Sequence, residues 1–296
     1  MTEGWRLCPA KVNLYLKVLA RREDGYHDLV TVMQPLTLAD ELRLTPGQGL
    51  SLECRHPEVP SGPRNLVWRA AEAFGAATGQ VPQVHLELVK KIPVAAGLGG
   101  GSSDAAGTLL ALNDRAGTPL SAEKLHELAA ALGADVPFFL QRSPAVGRGI
   151  GTVLSPLDLP PYWYVLLNPG LAISTAWVYR NLDLKALAQT GAPLPAAWDG
   201  DHPEAWVAND LETVTLSRYP ELRELLGELA LAGARAQGMS GSGPTLFGLF
   251  LEAEAARAAA RRLRQNFSGW ITVTRGLTQA EGEATGRVKD EWSENF

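Results

Sequence analysis

A lysine, an aspartate and two glycine-rich turns, far apart along 296 residues, are the parts of this chain with the means to do chemistry. Pro93-Val94-Ala95-Ala96-Gly97-Leu98-Gly99-Gly100-Gly101-Ser102-Ser103 runs straight into an Ala/Leu-rich stretch. Glycines reach positive φ at low cost and let a ligand come close to the backbone. A helix that follows them aims unpaired N–H groups and its positive dipole end at whatever sits in the turn. That combination suits phosphate. The chain has no Gly-Lys-Ser/Thr, and this turn has no Gly-x-Gly-x-x-Gly, so the cradle is neither a P-loop nor a dinucleotide fingerprint. Lys11 supplies a cation, Asp135 a carboxylate, and Gly238-Met239-Ser240-Gly241-Ser242-Gly243-Pro244 a second glycine turn. Phosphoryl transfer asks a protein mainly for alignment and charge stabilisation, which such a set provides.

Each part alone has a plainer alternative. Lys11 and Asn13 fit the wet face of an amphipathic strand. Asp135, between Gly133 and the apolar Val136-Pro137-Phe138-Phe139, is either a surface helix cap or a partly buried, partnered acid. Gly25-Tyr26-His27-Asp28 reads as a turn or a ligand contact, and Gly238 to Gly243 as a tight hairpin or a second binding loop.

The elements that position these parts follow from periodicity. Residues 84–90 alternate like a half-buried strand before the glycine turn; Ala105, Ala106, Leu109, Leu110 and Leu112 form a helical stripe after it, with Ser102 or Ser103 placed to cap. Val12, Leu14, Leu16 and Val18 alternate with Lys11, Asn13, Tyr15 and Lys17. Shorter strands are expected at 29–36, 41–45 and 50–54, and helices at 65–77 and 121–132, the latter opening on Ser121-Ala122-Glu123-Lys124. A proline cluster at 156–161 marks a boundary. Beyond it come strands at 162–167, 245–251 and 270–275, and helices at 175–182, 206–213, 221–232 and 252–265. Residues 189–203 read as a loop and 278–296 as a polar, mobile tail. Strands clustered among helices predict α+β layers.

Composition narrows the class. Hydrophobic residues make up 46% and charged residues 20%, as in an ordinary globule. The net charge of −5 argues against a nucleic-acid partner, and the apolar runs are too short for a membrane span. The N-terminus lacks a secretion signal, and Cys8 and Cys54 read as reduced thiols, so a cytoplasmic protein is expected. His126-Glu127 has no second His four residues on, which removes a zinc motif.

In three ordered segments the chain resembles the GHMP kinase superfamily: Pro9-Ala10-Lys11-Val12-Asn13-Leu14, the Pro93 to Ala106 loop, and Gly238 to Pro244. Gly99-Gly100-Gly101-Ser102-Ser103, Asp24-Gly25-Tyr26-His27, Ala134 to Phe139 and Asn209-Asp210-Leu211-Glu212 resemble the branch that phosphorylates a cytidine-diphosphate-linked methylerythritol in the non-mevalonate isoprenoid route. The resemblance implies a two-domain fold: a ribosomal protein S5 domain 2-like part at 1–155 and a ferredoxin-like part at 156–277, with the site in the cleft between them. It implies ATP and Mg²⁺ as cofactors and a small-molecule partner carrying cytidine diphosphate. No metal ligand and no oligomeric state follow. Asp135 would take the proton of the substrate's 2-hydroxyl, and Lys11 would orient the two and stabilise the alkoxide. The amides of Gly97 to Ser103 would hold the phosphates, with Gly241, Ser242 and Gly243 as motif three. Asn13, Tyr26 and His27 would contact the substrate, Tyr179 would be the second aromatic clamp on cytosine, and Leu66, Val67 and Trp68 would wall the adenine. A branched residue in place of Gly100 would fill phosphate space, and Asp104 would repel phosphate unless turned away or relieved by Mg²⁺.

Overall fold

The computed structural model describes residues 4–191 and 193–284. Two long strands, β1 (Arg6–Arg21) and β2 (His27–Pro46), form an antiparallel hairpin. They are followed by β3 (Leu50–Cys54), α1 (Leu66–Thr78), β4 (Val84–Val89), α2 (Gly100–Arg115), α3 (Ala122–Leu132), α4 (Val136–Gln141), β5 (Ala145–Gly149) and β6 (Val153–Pro156). The second half contains β7 (Trp163–Asn168), α5 (Thr175–Arg180), α6 (Leu184–Thr190), β8 (Ala208–Asn209), α7 (Glu212–Arg218) and α8 (Glu221–Leu231). It ends with β9 (Ala236–Met239), β10 (Leu246–Phe250), α9 (Ala253–Leu263), β11 (Trp270–Arg275) and α10 (Gln279–Ala284). No helix among the described residues is long and apolar enough to cross a membrane.

The architecture is α+β in four layers. The first sheet runs β3-β4-β2-β1-β8, with β5 on β2 and β6 on β5; the second runs β11-β7-β10-β9. Helices α1 to α4 cover one face of the first sheet through Leu42, Leu86, Val67, Phe74, Leu109 and Phe138. Its other face packs on the second sheet, Val12, Leu14 and Val32 meeting Tyr164, Leu166 and Phe247. Helices α8 and α9 close the far side with Leu222, Leu229, Ala256 and Leu263.

This double covering corrects the wet-face alternative for β1. Lys11 is 3% and Asn13 4% exposed, because α2 and the glycine loop lie over the face that alternation assigned to water. Register shifts between Pro9/Lys11 and Asn13/Tyr15 bracket the two residues, as bulges do where a strand re-aims side chains. The strands expected at 29–36 and 41–45 are one, β2, since the same irregularities let the hairpin continue. The helix expected at 206–213 does not form as such. Its centre pairs in parallel with Tyr15 and Leu16 as β8, and α7 begins only at Glu212. Thus a tertiary ladder overrides helical spacing. Of the tail expected to be mobile, Gln279–Ala284 is helical and tied down by the Arg275–Glu281 pair. Residues 285–296 lie outside the described residues.

α2 crosses β1 closely at Gly107, where an added Cβ would lie 2.5 Å from the buried Cys8 Sγ. Ala has the better helix propensity, but overpacking of a filled core typically costs about 1–3 kcal/mol. Gly107→Ala is therefore expected to lower the denaturant midpoint, and Cys8→Ala on that background to restore part of it; a stabilising Gly107→Ala would show that the crossing is looser than described.

Candidate active site

The strand β1 brings Lys11 to the centre of the molecule. Its ammonium donates to Asn13 Oδ1 at 2.5 Å and to the Gly97 carbonyl at 2.9 Å, and lies 3.7 Å from Asp135 Oδ2. Burial pushes the Lys11 amine down, and the Asp135 charge pulls it back up. Asn13 Nδ2 donates to Thr31 Oγ1 at 2.9 Å, and Thr31 donates on to the Tyr15 carbonyl, fixing the amide so that its oxygen faces Lys11.

Asp135 stands at the N-terminus of α4 but makes no capping bond from its side chain. Its side chain is 42% exposed, so the carboxylate opens onto a cleft instead of serving the helix. Of the two alternatives for this residue, the partnered acid is the one found. A helix of six residues has little stability of its own. Phe138 and Phe139, 0% and 1% exposed, anchor it, each contributing about 1.5–3 kcal/mol by burial.

The glycine loop is strapped over β1. Lys11 N–H donates to the Leu98 carbonyl, and Thr245 N–H to that of Ala96. Ala95, Gly97 and Gly99 all have positive φ. At Gly97 any side chain would run into the Ser240 carbonyl, so glycine is required there for close approach as well as for φ. The helix starts at Gly100 with Gly99 as its cap and no side-chain capping bond, which corrects the expectation for Ser102 and Ser103: both lie inside the first turn. Pro93 to Gly97 and Gly99 to Ser102 line a cavity of about 320 Å³, whereas Leu98 and Ser103 point into the interior. Leu66, with Val59, Pro60 and Asn65, walls the same cavity. Val67 is fully buried in the core and Trp68 packs against it, so neither is a wall.

A larger cleft of about 710 Å³ adjoins it and shares Gly97, Gly99 and Ser102. Lys11, Asn13, Tyr26, His27, Asp135, Tyr179, Gly241 and Ser242 line it. Gly243 does not; it packs toward Met239. In the Gly25 to Asp28 segment the turn at Gly25 and Tyr26, held by Tyr26 N–H on Asp24 Oδ1, passes into β2 at His27, and Gly25, Tyr26 and His27 line the cleft. Gly238 to Gly243 likewise serves as both hairpin and cleft wall. The His27 and Tyr179 rings are 5.1 Å apart, and Tyr26 is 58% exposed beside them. Burial, with a lesser push from Arg21, holds His27 below its ordinary value, so the ring is neutral at pH 7. Burial and the Asp135 charge raise the Tyr179 phenol, which stays protonated.

Sequence reasoning missed Thr31, Thr175, Arg21 and Arg180 in the cleft. The two arginines carried a signal, being cations next to Arg22-Glu23-Asp24 and Tyr179, but nothing in the sequence marked the threonines. With Lys11 they make three cations against the single carboxylate of Asp135. Among the described residues no cluster of three or more His, Cys, Asp or Glu could hold a metal ion.

Asp104 is engaged beneath the glycine loop and, with Lys90, also borders its cavity. Its Oδ2 lies 2.6 Å from Lys90 Nζ, which also pairs with Asp40, all three side chains being buried beneath Gly100. A Cβ at Gly100 would meet Lys90 Nζ and Asp40 Oδ2 at 3.2 Å, so a branched residue there would crowd this ion triad at the edge of the glycine-loop cavity.

Residues 65–142 match the GHMP kinases N terminal domain and residues 183–269 the GHMP kinases C terminal domain. Fold and sequence together place the chain among the GHMP kinases. A 4-diphosphocytidyl-2-C-methyl-D-erythritol kinase of Geobacter metallireducens is 48% identical over 90% of this chain and 95% of its own length. Another, from Geobacter sulfurreducens, is 47% identical over 86% and 93%. The crystal structure of a 4-(cytidine 5'-diphospho)-2C-methyl-D-erythritol kinase superposes with a TM-score of 0.81 at 42% identity, covering 92% of this chain and 99% of that one. The chain belongs to the 4-diphosphocytidyl-2-C-methyl-D-erythritol kinase family. A homoserine kinase from Cytophaga hutchinsonii, with a TM-score of 0.71 at 20% identity, shares the fold.

The ion triad yields a stability prediction. Burial, with Asp40 adding to it and Lys90 opposing it, pushes the Asp104 carboxyl up to about 8. A carboxyl raised on folding contributes nothing below its unfolded value and destabilises progressively as pH rises toward the folded one. Asp104→Asn removes that penalty, so thermal melts should show a higher midpoint at pH 8 and little change near pH 4; the reverse order would contradict the raised carboxyl.

Proposed function

We propose that this chain transfers the γ-phosphoryl group of ATP to the 2-hydroxyl of 4-diphosphocytidyl-2-C-methyl-D-erythritol. The observation that carries the reading is the junction of two cavities. The glycine-loop cavity suits a nucleotide and the larger cleft an acceptor; they meet at Gly97, Gly99 and Ser102, with the Lys11–Asp135 pair on the acceptor side. The three cations of the cleft suit an acceptor carrying a diphosphate, and Tyr26, His27 and Tyr179 offer ring faces and a neutral imidazole for a flat base. Homoserine or mevalonate would leave that aromatic group unused.

In the reaction the acceptor oxygen forms a bond to the γ-phosphorus as the bond to the β–γ bridging oxygen breaks, and ADP leaves. Asp135 takes the hydroxyl proton and returns it to solvent after the product departs. Lys11, held by Asn13 and the Gly97 carbonyl, keeps the carboxylate in place and offsets the negative charge growing on the acceptor oxygen. The N–H groups at the start of α2 hold the phosphate oxygens. Ser102 and Asp135 are hard oxygen donors near the junction, a donor set that fits a magnesium ion travelling with the nucleotide's phosphates. Bound there, such an ion would neutralise phosphate charge.

Phosphate-transfer assays against a panel of the cytidine-linked methylerythritol, free methylerythritol, homoserine, galactose and mevalonate test the reading; turnover confined to the first supports it, and preference for any other overturns it. In the same assay Asp135→Asn should lower kcat by roughly 10²–10⁴-fold with KM nearly kept. His27→Ala should raise KM for the cytidine substrate and leave KM for ATP unchanged, an equal loss for both ligands counting against the base contact.

A further inference from the structure

Asn209-Asp210-Leu211-Glu212 stands out in the sequence yet only Leu211 touches the cleft, and the reaction uses none of the four. The structure gives the segment a dense set of bonds in two directions. Toward β1, Ala208 and Asn209 pair with Tyr15 and Leu16, Asp210 N–H donates to the Leu16 carbonyl at 2.8 Å, and Val18 N–H donates to Asp210 Oδ2 at 2.9 Å. Toward motif three, Asn209 Nδ2 bridges the Met239 and Gly241 carbonyls, both at 2.7 Å, and Glu212 Oε1 accepts from Met239 N–H at 2.8 Å. The turn thus gripped reaches the reaction centre. Ser240 Oγ donates to the Gly97 carbonyl, the same oxygen that accepts from Lys11, and receives Asn13 N–H.

We propose that Asn209 and Glu212 are positioning residues that lock the 239–242 turn against the phosphate loop, and that the ionised Glu212 carboxylate is the form that locks it. A charge-assisted bond to Met239 N–H is about twice as strong as a neutral one. Burial pushes the Glu212 carboxyl up to about 7, the Met239 N–H opposing it. No charged side chain of β1, β9, β10 or α8 shifts it; on its own segment Asp210 is committed to Val18, and Arg218 sits at the far end of α7. Among the described residues no counter-ion faces Glu212, and one of the bonds that hold the turn's backbone rests on it, so the turn's grip depends on pH near neutrality.

The kinetic part of the test rests on the phosphoryl-transfer reading; a second measurement does not. Full-length wild type, Glu212→Gln and Glu212→Ala would be compared for kcat and KM across the neutral range, and for hydrogen exchange of residues 236–246, corrected for intrinsic rates. Wild-type kcat should fall through an acid limb near neutrality. Glu212→Gln, a neutral isostere, should lack that limb and stay roughly fivefold to tenfold below the wild-type plateau at every pH. KM for either substrate should change little, and Glu212→Ala should lie lower still. Exchange in 236–246 should quicken in both variants, and in wild type only on the acid side. A wild-type acid limb retained by Glu212→Gln, or wild-type exchange in both variants, would overturn the proposal. Absence of turnover in the wild type would remove the substrate reading and leave the exchange result to decide the lock.

Discussion

One buried ammonium ties the functional centre together. Lys11 has almost no contact with water, so its charge must be met by protein, and the partners come from separate parts of the chain: Asn13 on the same strand, the Gly97 carbonyl of the glycine loop, and Asp135 at the head of α4. Leaving such a charge without one of its partners typically costs about 3–5 kcal/mol. That constraint draws the loop onto the strand and the acid toward both. The partial exposure of Asp135 opens this shell toward the larger cleft, which Gly97 also lines.

The glycines follow from the same closeness. Gly97 lies under the Ser240 carbonyl, and a Cβ at Gly99 would press on Phe139 and on the Lys11 side chain. Their absent side chains allow three segments to converge within hydrogen-bond range, and leave backbone N–H groups at the mouth of α2, an arrangement that suits an anion. The acids near the loop are handled separately. Lys90 pairs with both Asp40 and Asp104 below it, and burial raises the Asp104 carboxyl, so Asp104 brings little negative charge to the loop.

Much of the site was legible because glycine turns and a lysine on an alternating strand have few local explanations once they occur together. The capped helices at Asn65 and Ser121 could also be read locally, since the cap bonds lie within three residues. What escaped depended on distant chain. The burial of Lys11 and Asn13 needed a second covering layer that periodicity cannot report. The helical spacing of 206–213 lost to pairing with Tyr15 and Leu16. The serines of the glycine loop were misread as caps because Gly99, with no side chain to offer, begins the helix instead.

The placement of β8 carries a consequence for how the molecule is made. The strand bearing Lys11 is the first element synthesised, yet its outer edge at Tyr15 and Leu16 is closed only by residues 208 and 209, while its inner edge is closed at once by β2. During translation the first sheet therefore emerges with an open edge that only the later half can cover, a geometry that slows completion and exposes unpaired backbone to other nascent chains. The residues between β2 and β8 set the length of that vulnerable interval, which gives the segment carrying α5 and α6 a bearing on yield from the ribosome.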